Sequence, residues 1–273
     1  MEKAAIIRLS FFLGIFVVMA LWEILAPKRK KTTSKGIRWT WNLGLTVLNP
    51  LVVRLLFPVL AVAVAIKARE QDWGLLNLYD LPDWMSFALA IILLDMVVYL
   101  QHLMFHAVPL LWRLHMVHHA DLDYDVTTGL RFHPIEIIIS MLIKMSAVGV
   151  LGPPVGAVVA FEVILNGMAM FNHGNVRLPA GVDRVLRFLV VTPDMHRVHH
   201  SIYPRETNSN FGFNLSWWDR IFGTYIAQPK DGHLEMTIGL RQFRNTAEVT
   251  LPRLLIMPFT GKQGKYALGR RGT

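Results

Sequence analysis

Long apolar runs separated by short polar stretches occupy the first two thirds of the chain, and they predict membrane-spanning helices. Residues 6–26, 43–66 and 84–100 each fall within the length range of a spanning helix, the second interrupted by Pro50, Arg54 and Pro58 and the third containing Asp95. Residues 135–171 are apolar apart from Glu136, Lys144 and Glu162, and Gly152-Pro153-Pro154 divides them, which predicts a helical hairpin. Beyond Val176 the hydropathy falls and Asn, Pro, Gly and Arg become common. The predicted fold is all-α, a polytopic membrane helix bundle forming a single membrane domain over 1–273. In it, 101–133 and 173–225 make a cytoplasmic helical cap and 226–273 a C-terminal tail whose last dozen residues are mobile. The first apolar segment lacks a small-residue cleavage site after Trp22-Glu23-Ile24-Leu25 and is expected to be a retained helix rather than a signal peptide.

Composition strengthens the membrane assignment, with 53% hydrophobic and only 17% charged residues. Cysteine is absent, which excludes disulfides, thiolate zinc sites, iron–sulfur clusters and haem–thiolate centres within this chain. A net charge of +9 raises the question of nucleic acid, but no basic run is interleaved with aromatics in a nucleic-acid-binding motif. Much of the excess lies in Lys28-Arg29-Lys30-Lys31, Lys35 and Arg38, directly after the first apolar segment, where it reads as a cytoplasmic topology signal that also attracts anionic headgroups. With that segment inside, the third helix ends in the cytoplasm just before His102. The hairpin between His133 and His173 returns the chain to the side it left.

Topology matters because of the histidines. His115-Met116-Val117-His118-His119 and His196-Arg197-Val198-His199-His200 repeat one pattern, and His102 and His106 stand just ahead of the first copy. At this histidine frequency chance gives one HxxHH only about two times in a hundred, so two argue for selection of the spacing. On a helix, positions i, i+3 and i+4 share a face, and each copy therefore directs three imidazoles one way. Eight convergent imidazoles exceed the needs of one ion and suit two, with positions left for an exogenous ligand. Imidazole alone leaves iron, zinc, copper and nickel open.

Other polar residues receive blander readings. Asp121, Asp123 and Asp125 are expected in a solvated loop, Glu136 as a first-turn helix cap, and Asp194 as the N-cap of the helix presenting the last box. Tyr203, Trp217 and Trp218 read as interface aromatics or cap core, and His233 as ordinary surface. Charge within an apolar span is costly, so Arg54, Asp95 and Glu162 are expected to pair or to glue helices together. Asp95 lies about two turns, roughly 10 Å, before His102, which suits support of the ligands or a place in the substrate pocket.

These motifs, with Leu130-Arg131-Phe132-His133-Pro134, Asn172-His173-Gly174-Asn175 and Asp219-Arg220-Ile221-Phe222-Gly223-Thr224-Tyr225, resemble the sterol desaturase/fatty acid hydroxylase superfamily of integral-membrane di-iron enzymes from about Leu93 to Tyr225. The resemblance implies two iron ions held by His102, His106, His115, His118, His119, His196, His199 and His200, with His133 and His173 placed where relatives have further histidines near the metals. It implies an O2-dependent oxidoreductase that hydroxylates, or desaturates, an unactivated C–H of a lipid such as a sterol-like lipid or fatty acyl chain. No segment reads as a fused cytochrome b-type domain, so a separate electron-donor protein is expected. The alternative is a zinc-dependent membrane lipid hydrolase, for which eight histidines are more than the usual three protein ligands.

Overall fold

A computed structural model describes residues 2–57 and 60–268. Its long helices form where apolar residues run without a break. They are α1 (Glu2–Leu25), α2 (Lys35–Leu56), α3 (Ala61–Glu70), α4 (Asp83–Ala107), α5 (Pro109–His119), α6 (Pro134–Leu151) and α7 (Val155–Asn172). Two short helices follow, α8 (Ala180–Leu186) and α9 (Pro193–His199), then single helical turns; no β-strand occurs among the described residues. Five segments are long and apolar enough to cross a membrane, at 3–25, 35–77, 83–107, 134–151 and 155–172. Helix α1 exposes Leu9, Phe11, Leu13, Val17, Val18 and Leu21, an apolar surface that only lipid can cover favourably.

The second span begins at Lys35, eight residues before the apolar run at Leu43. Arg38, Asn42, Leu45, Asn49 and Val53 make a buried stripe at helical spacing, so the polar members are core residues that hydropathy cannot find. Helix α4 continues to Ala107 and carries His102 and His106 on the spanning helix itself, not in a separate cap. Pro58 lies outside the described residues. At the hairpin turn Gly152 adopts φ 60°, and a Cβ on Gly74 (φ 99°) would lie 2.4 Å from the Gly152 Cα, so the two turns interlock only as glycines.

Several polar expectations are corrected. Asp121, Asp123 and Asp125 are at most 1% exposed, not solvated. Arg38 donates to Asp121 through Nε (2.7 Å) and Nη2 (2.8 Å) and to Asp125 through Nη1 (2.6 Å). Lys31 Nζ reaches Asp125 at 2.6 Å, the Thr32 amide donates to Asp123 at 2.6 Å, and Asn42 Nδ2 donates to Asp121 at 3.1 Å. Burial works against ionisation of Asp121, but Arg38 outweighs it and holds the carboxyl below its usual range. The basic segment after α1 is therefore largely turned inward rather than offered to headgroups. Lys28 pairs with Asp194 (2.6 Å) and Arg29 Nη2 donates to the Met236 carbonyl (2.8 Å), while Lys30 stays exposed. Glu162 is held by Lys144 (2.8 Å) and Arg8, as a charge in a span requires, whereas Arg54 is exposed near the end of α2.

Breaking a buried pair by deleting one partner leaves an uncompensated charge and costs about 3–5 kcal/mol. Arg38→Ala, which strands Asp121 and leaves Asp125 to Lys31, is expected to lower the thermal unfolding midpoint in detergent markedly; an unchanged midpoint would contradict the network's importance.

Residues 226–268 are also not a loose tail. Leu240, Phe243, Val249, Leu254, Met257 and Tyr266 share one apolar cluster with Leu45 of α2 and Trp112 and Met116 of α5. Trp112 Nε1 donates to the Gln263 carbonyl at 3.3 Å. Of the dozen residues expected to be mobile, Gln263, Tyr266 and Ala267 are buried, the last two in the cluster on α5, and 269–273 lie outside the described residues.

Candidate metal centre

Helix α4 presents His102 and His106 one turn apart, and α5, begun by Pro109 at its first position, ends in His115, His118 and His119. Thr192 caps α9 by accepting from the Met195 amide at 3.3 Å, so Asp194 is not the cap; it sits in the first turn, bound to Lys28 and Arg197. Helix α9 carries His196 and His199, His200 closes it, and His173 closes α7. All of these imidazoles are buried, none more than 7% exposed.

They fall into two groups in which one ligand atom from each residue lies within 4.8 Å of the others: His102, His106, His115, His119 and His199, and His118, His173, His196 and His200. Each HxxHH is divided between them. His115 and His119 enter the first group while His118 crosses to the second; His196 and His200 enter the second while His199 crosses to the first. The i, i+4 pair shares one site and the i+3 residue reaches the other, and His119 and His200 stack at 4.6 Å where the groups meet.

Acceptors behind the rings fix which nitrogen faces inward. Nδ1 of His102 donates to the Phe211 carbonyl (2.8 Å), of His199 to Ser209 (2.7 Å), of His118 to Arg131 (3.2 Å) and of His173 to Ala169 (2.7 Å). His106 donates to Asn208 Oδ1 (3.1 Å), an amide oriented by its own Nδ2 bond to the Tyr266 carbonyl (2.6 Å), and His115 donates to Glu136 (2.6 Å). With Nδ1 protonated, Nε2 of a neutral ring carries a lone pair. The inward nitrogens of His102, His115 and His199 are buried without any hydrogen-bond partner. Nε2 of His173 lies 3.1, 3.0 and 3.2 Å from Nε2 of His118, His196 and His200. Nε2 of His118 and of His173, each with Nδ1 committed to a carbonyl, face each other as two lone pairs at 3.1 Å, a contact that a cation between them relieves, so the residues fit bound metal ions.

Electrostatics favour the ligand form. Burial pushes the His115 and His173 imidazoles down to about 3. Burial and neighbouring imidazoles push His118, His119, His196, His199 and His200 well below the ordinary histidine value. Neutral imidazole binds metal.

The RFHP segment shows how a loop supports the site. Arg131 Nε donates to the Val117 carbonyl (2.7 Å) and its own carbonyl takes His118, while Phe132 stacks on the His118 ring at 4.6 Å. His133 caps α6 by accepting from the Ile135 amide (3.2 Å) and donates through Nε2 to the Leu255 carbonyl (3.1 Å). Both its nitrogens are engaged, and it belongs to neither group. Gly129 permits the close approach behind His173, since a Cβ there would lie 2.3 Å from the Ala169 carbonyl oxygen.

Asp95 neither pairs with a charge nor joins the imidazoles; it accepts from the Asn214 (3.2 Å) and Leu215 (3.1 Å) amides and from Trp218 Nε1 (2.8 Å). Asp219 accepts from the Phe211 (2.7 Å) and Gly212 (2.8 Å) amides. Together they clamp the loop whose Phe211 carbonyl holds His102, so Asp95 supports that ring through the loop. Trp217 is 37% exposed at the surface. His233 is not ordinary surface: its side chain is 9% exposed and lies 3.9 Å from Asp194.

Glu136, expected to cap α6, is instead the one carboxylate among the described residues bound to an imidazole of either group. A carboxylate behind a ligand raises its basicity, and losing such a partner typically costs 10–100-fold in metal affinity. Glu136→Gln keeps shape and acceptor but removes charge. It is expected to weaken metal binding by about tenfold or more in chelator competition, and wild-type affinity would refute a role for the charge.

Two adjacent nitrogen-only clusters at one end of a bundle with five membrane-length helices make a candidate membrane metal centre. The chain belongs to the fatty acid hydroxylase family, whose sequence model matches residues 87–224. It is 29% identical to an ornithine lipid hydroxylase of Rhizobium tropici over 95% of this chain and 78% of that protein. It is 30% identical to the alkylglycerol monooxygenase of Xenopus tropicalis over 78% of this chain, spanning about half (48%) of that protein. Human cholesterol 25-hydroxylase is 27% identical over 49% of this chain and 48% of its own length. No solved structure matches the chain.

Proposed function

We propose that the protein is a di-iron hydroxylase that uses O2 and electrons from a separate donor protein to hydroxylate the hydrocarbon chain of a polar membrane lipid, with its centre on the cytoplasmic side. The observation that carries this reading is the pair of five- and four-imidazole groups, with most outward nitrogens committed to fixed acceptors. Structural zinc is saturated by four ligands, whereas six-coordinate iron held by these sets keeps positions for exogenous ligands. When bound, the irons supply reductive activation of O2 for insertion of one oxygen atom into an unactivated C–H. The chain's own part is to hold neutral imidazoles in place, to keep water from a centre buried on all sides, and to admit an apolar chain from the bilayer.

The substrate class draws on the ornithine lipid hydroxylase, which aligns along 95% of this chain. The relatives named above are hydroxylases and monooxygenases, and none favours the zinc hydrolase alternative. Orientation follows from the basic segment: Lys28, Lys31 and Arg38 bind Asp194, Asp125 and Asp121 beside the boxes, so positive-inside bias on that segment puts the histidines inside too.

The test is metal analysis after expression in iron-replete medium, with lipidomics of cells carrying the wild type or His199→Ala. About two irons per chain and an oxygen-dependent hydroxylated lipid lost in the variant are expected. No iron, together with no such product, would defeat the reading.

A further inference from the structure

We propose that the surface around Tyr203, Arg241 and Lys265 docks an acidic one-electron donor protein, and that Tyr266 and Trp112 form the path from it to the histidine clusters. This rests on the redox reading given above. The Trp112 ring lies 4.9 Å from His106 and 5.4 Å from His119, centroid to centroid. Tyr266 stacks on its other side at 5.8 Å with 21° between the planes. The Tyr266 hydroxyl donates to the Ile202 carbonyl (2.9 Å) and accepts from the Arg241 amide (3.1 Å). Tyr203, the residue after Ile202, is half-buried at the surface between Lys230 (5.1 Å) and Arg241 (5.9 Å). Electron tunnelling falls off steeply with distance and faster through gaps than through packed or bonded atoms. This stack supplies a continuous route two rings deep.

The surface over the stack is basic. Lys230 and Arg241 flank Tyr203 and Lys265 immediately precedes Tyr266, all three exposed, against Asp231, which bonds Tyr203, while Glu248 is occupied by Lys262. Such a patch steers an acidic partner and speeds its association. No exposed large hydrophobic among the described residues falls in 200–213, 237–250 or 260–268, while Leu234, Ile256 and Phe259 border these segments. Per turnover two reduced donor molecules each lose one electron. Those electrons, two protons from water and one O2 convert one C–H to C–OH and form one water.

The experiment uses the full-length, iron-loaded protein in lipid nanodiscs with a small acidic [2Fe–2S] ferredoxin as probe. Arg241→Glu with Lys265→Glu is expected to weaken ferredoxin binding at least tenfold and flatten its salt dependence, with iron content unchanged. Trp112→Leu is expected to preserve ferredoxin affinity but slow anaerobic oxidation of reduced ferredoxin at least tenfold, and Trp112→Phe to restore most of the rate. Equal ferredoxin affinity after charge reversal, a charge effect seen only with anionic vesicles, or a wild-type rate in Trp112→Leu would each overturn the inference. Wild-type product formation driven by dithionite separates the two levels: without it the redox reading fails and the path with it, and with it a charge-independent ferredoxin sinks docking alone.

Discussion

Replacing His173 by alanine is expected to remove one of two bound irons and to lower lipid hydroxylation at least a hundredfold. His173 Nε2 sits within 3.0–3.2 Å of the inward nitrogens of His118, His196 and His200, and its own Nδ1 is committed to the Ala169 carbonyl. Truncation leaves three imidazoles in the second group and an intact first group, so metal content should fall towards one per chain. The contrast is His133→Ala. That ring spends both nitrogens on the Ile135 amide and the Leu255 carbonyl, so its loss should cost a helix cap, about 1 kcal/mol, and keep both metals. Metal analysis of the two purified variants decides the matter, and two irons with full activity in His173→Ala would exclude His173 as a ligand.

Acid should unfold the metal-free protein well before it affects most carboxylates. Seven cluster histidines outside the spans have folded-state values below the ordinary 6.5, His115 and His173 at about 3, because burial disfavours the charged form. Below pH 6.5 the unfolded chain therefore binds protons that the folded chain refuses, and stability falls with pH until the folded values are reached. Each such histidine contributes up to about 1.4 kcal/mol per pH unit in that window. Asp219, raised to about 6 by burial, works in the opposite sense, but the seven imidazoles outweigh it. Asp194, held at about 2 against burial by Arg197 and its other cationic neighbours, titrates far below the window. The thermal midpoint of the metal-free protein should drop steeply from pH 7.5 to 5.5, and added iron should reduce the drop by occupying the neutral rings. A midpoint flat across that range would mean that the imidazoles are not held neutral.

The spans and the histidine boxes were legible because each is a local pattern: an apolar run, or a spacing of three and four. What the sequence concealed depends on partners far along the chain. The alternating acids at 121, 123 and 125 look like a solvated loop, and their cations stand at Lys31 and Arg38, more than eighty residues upstream. The same separation hid the start of α2, whose Arg38 and Asn42 are polar yet buried. Glu136 sits where a helix cap would sit, and nothing adjacent reveals that it faces His115. The division of each HxxHH between two sites was also invisible, since shared helical face does not say which ring leans towards which ion. Finally, four of the six Nδ1 acceptors are backbone carbonyls, at Arg131, Ala169, Ser209 and Phe211, and a carbonyl has no residue signature.

The amide of Asn208, which sets the His106 ring, is itself set by the carbonyl of Tyr266, fifty-eight positions later. The ribosome makes Tyr266 after every span has been synthesised. Support of His106 by Asn208 is thereby ordered behind synthesis of Tyr266. A chain stalled after its last span, at Asn172, would carry four of the five imidazoles of the first group and one of the four of the second, so both groups are completed by the segment that follows the membrane helices.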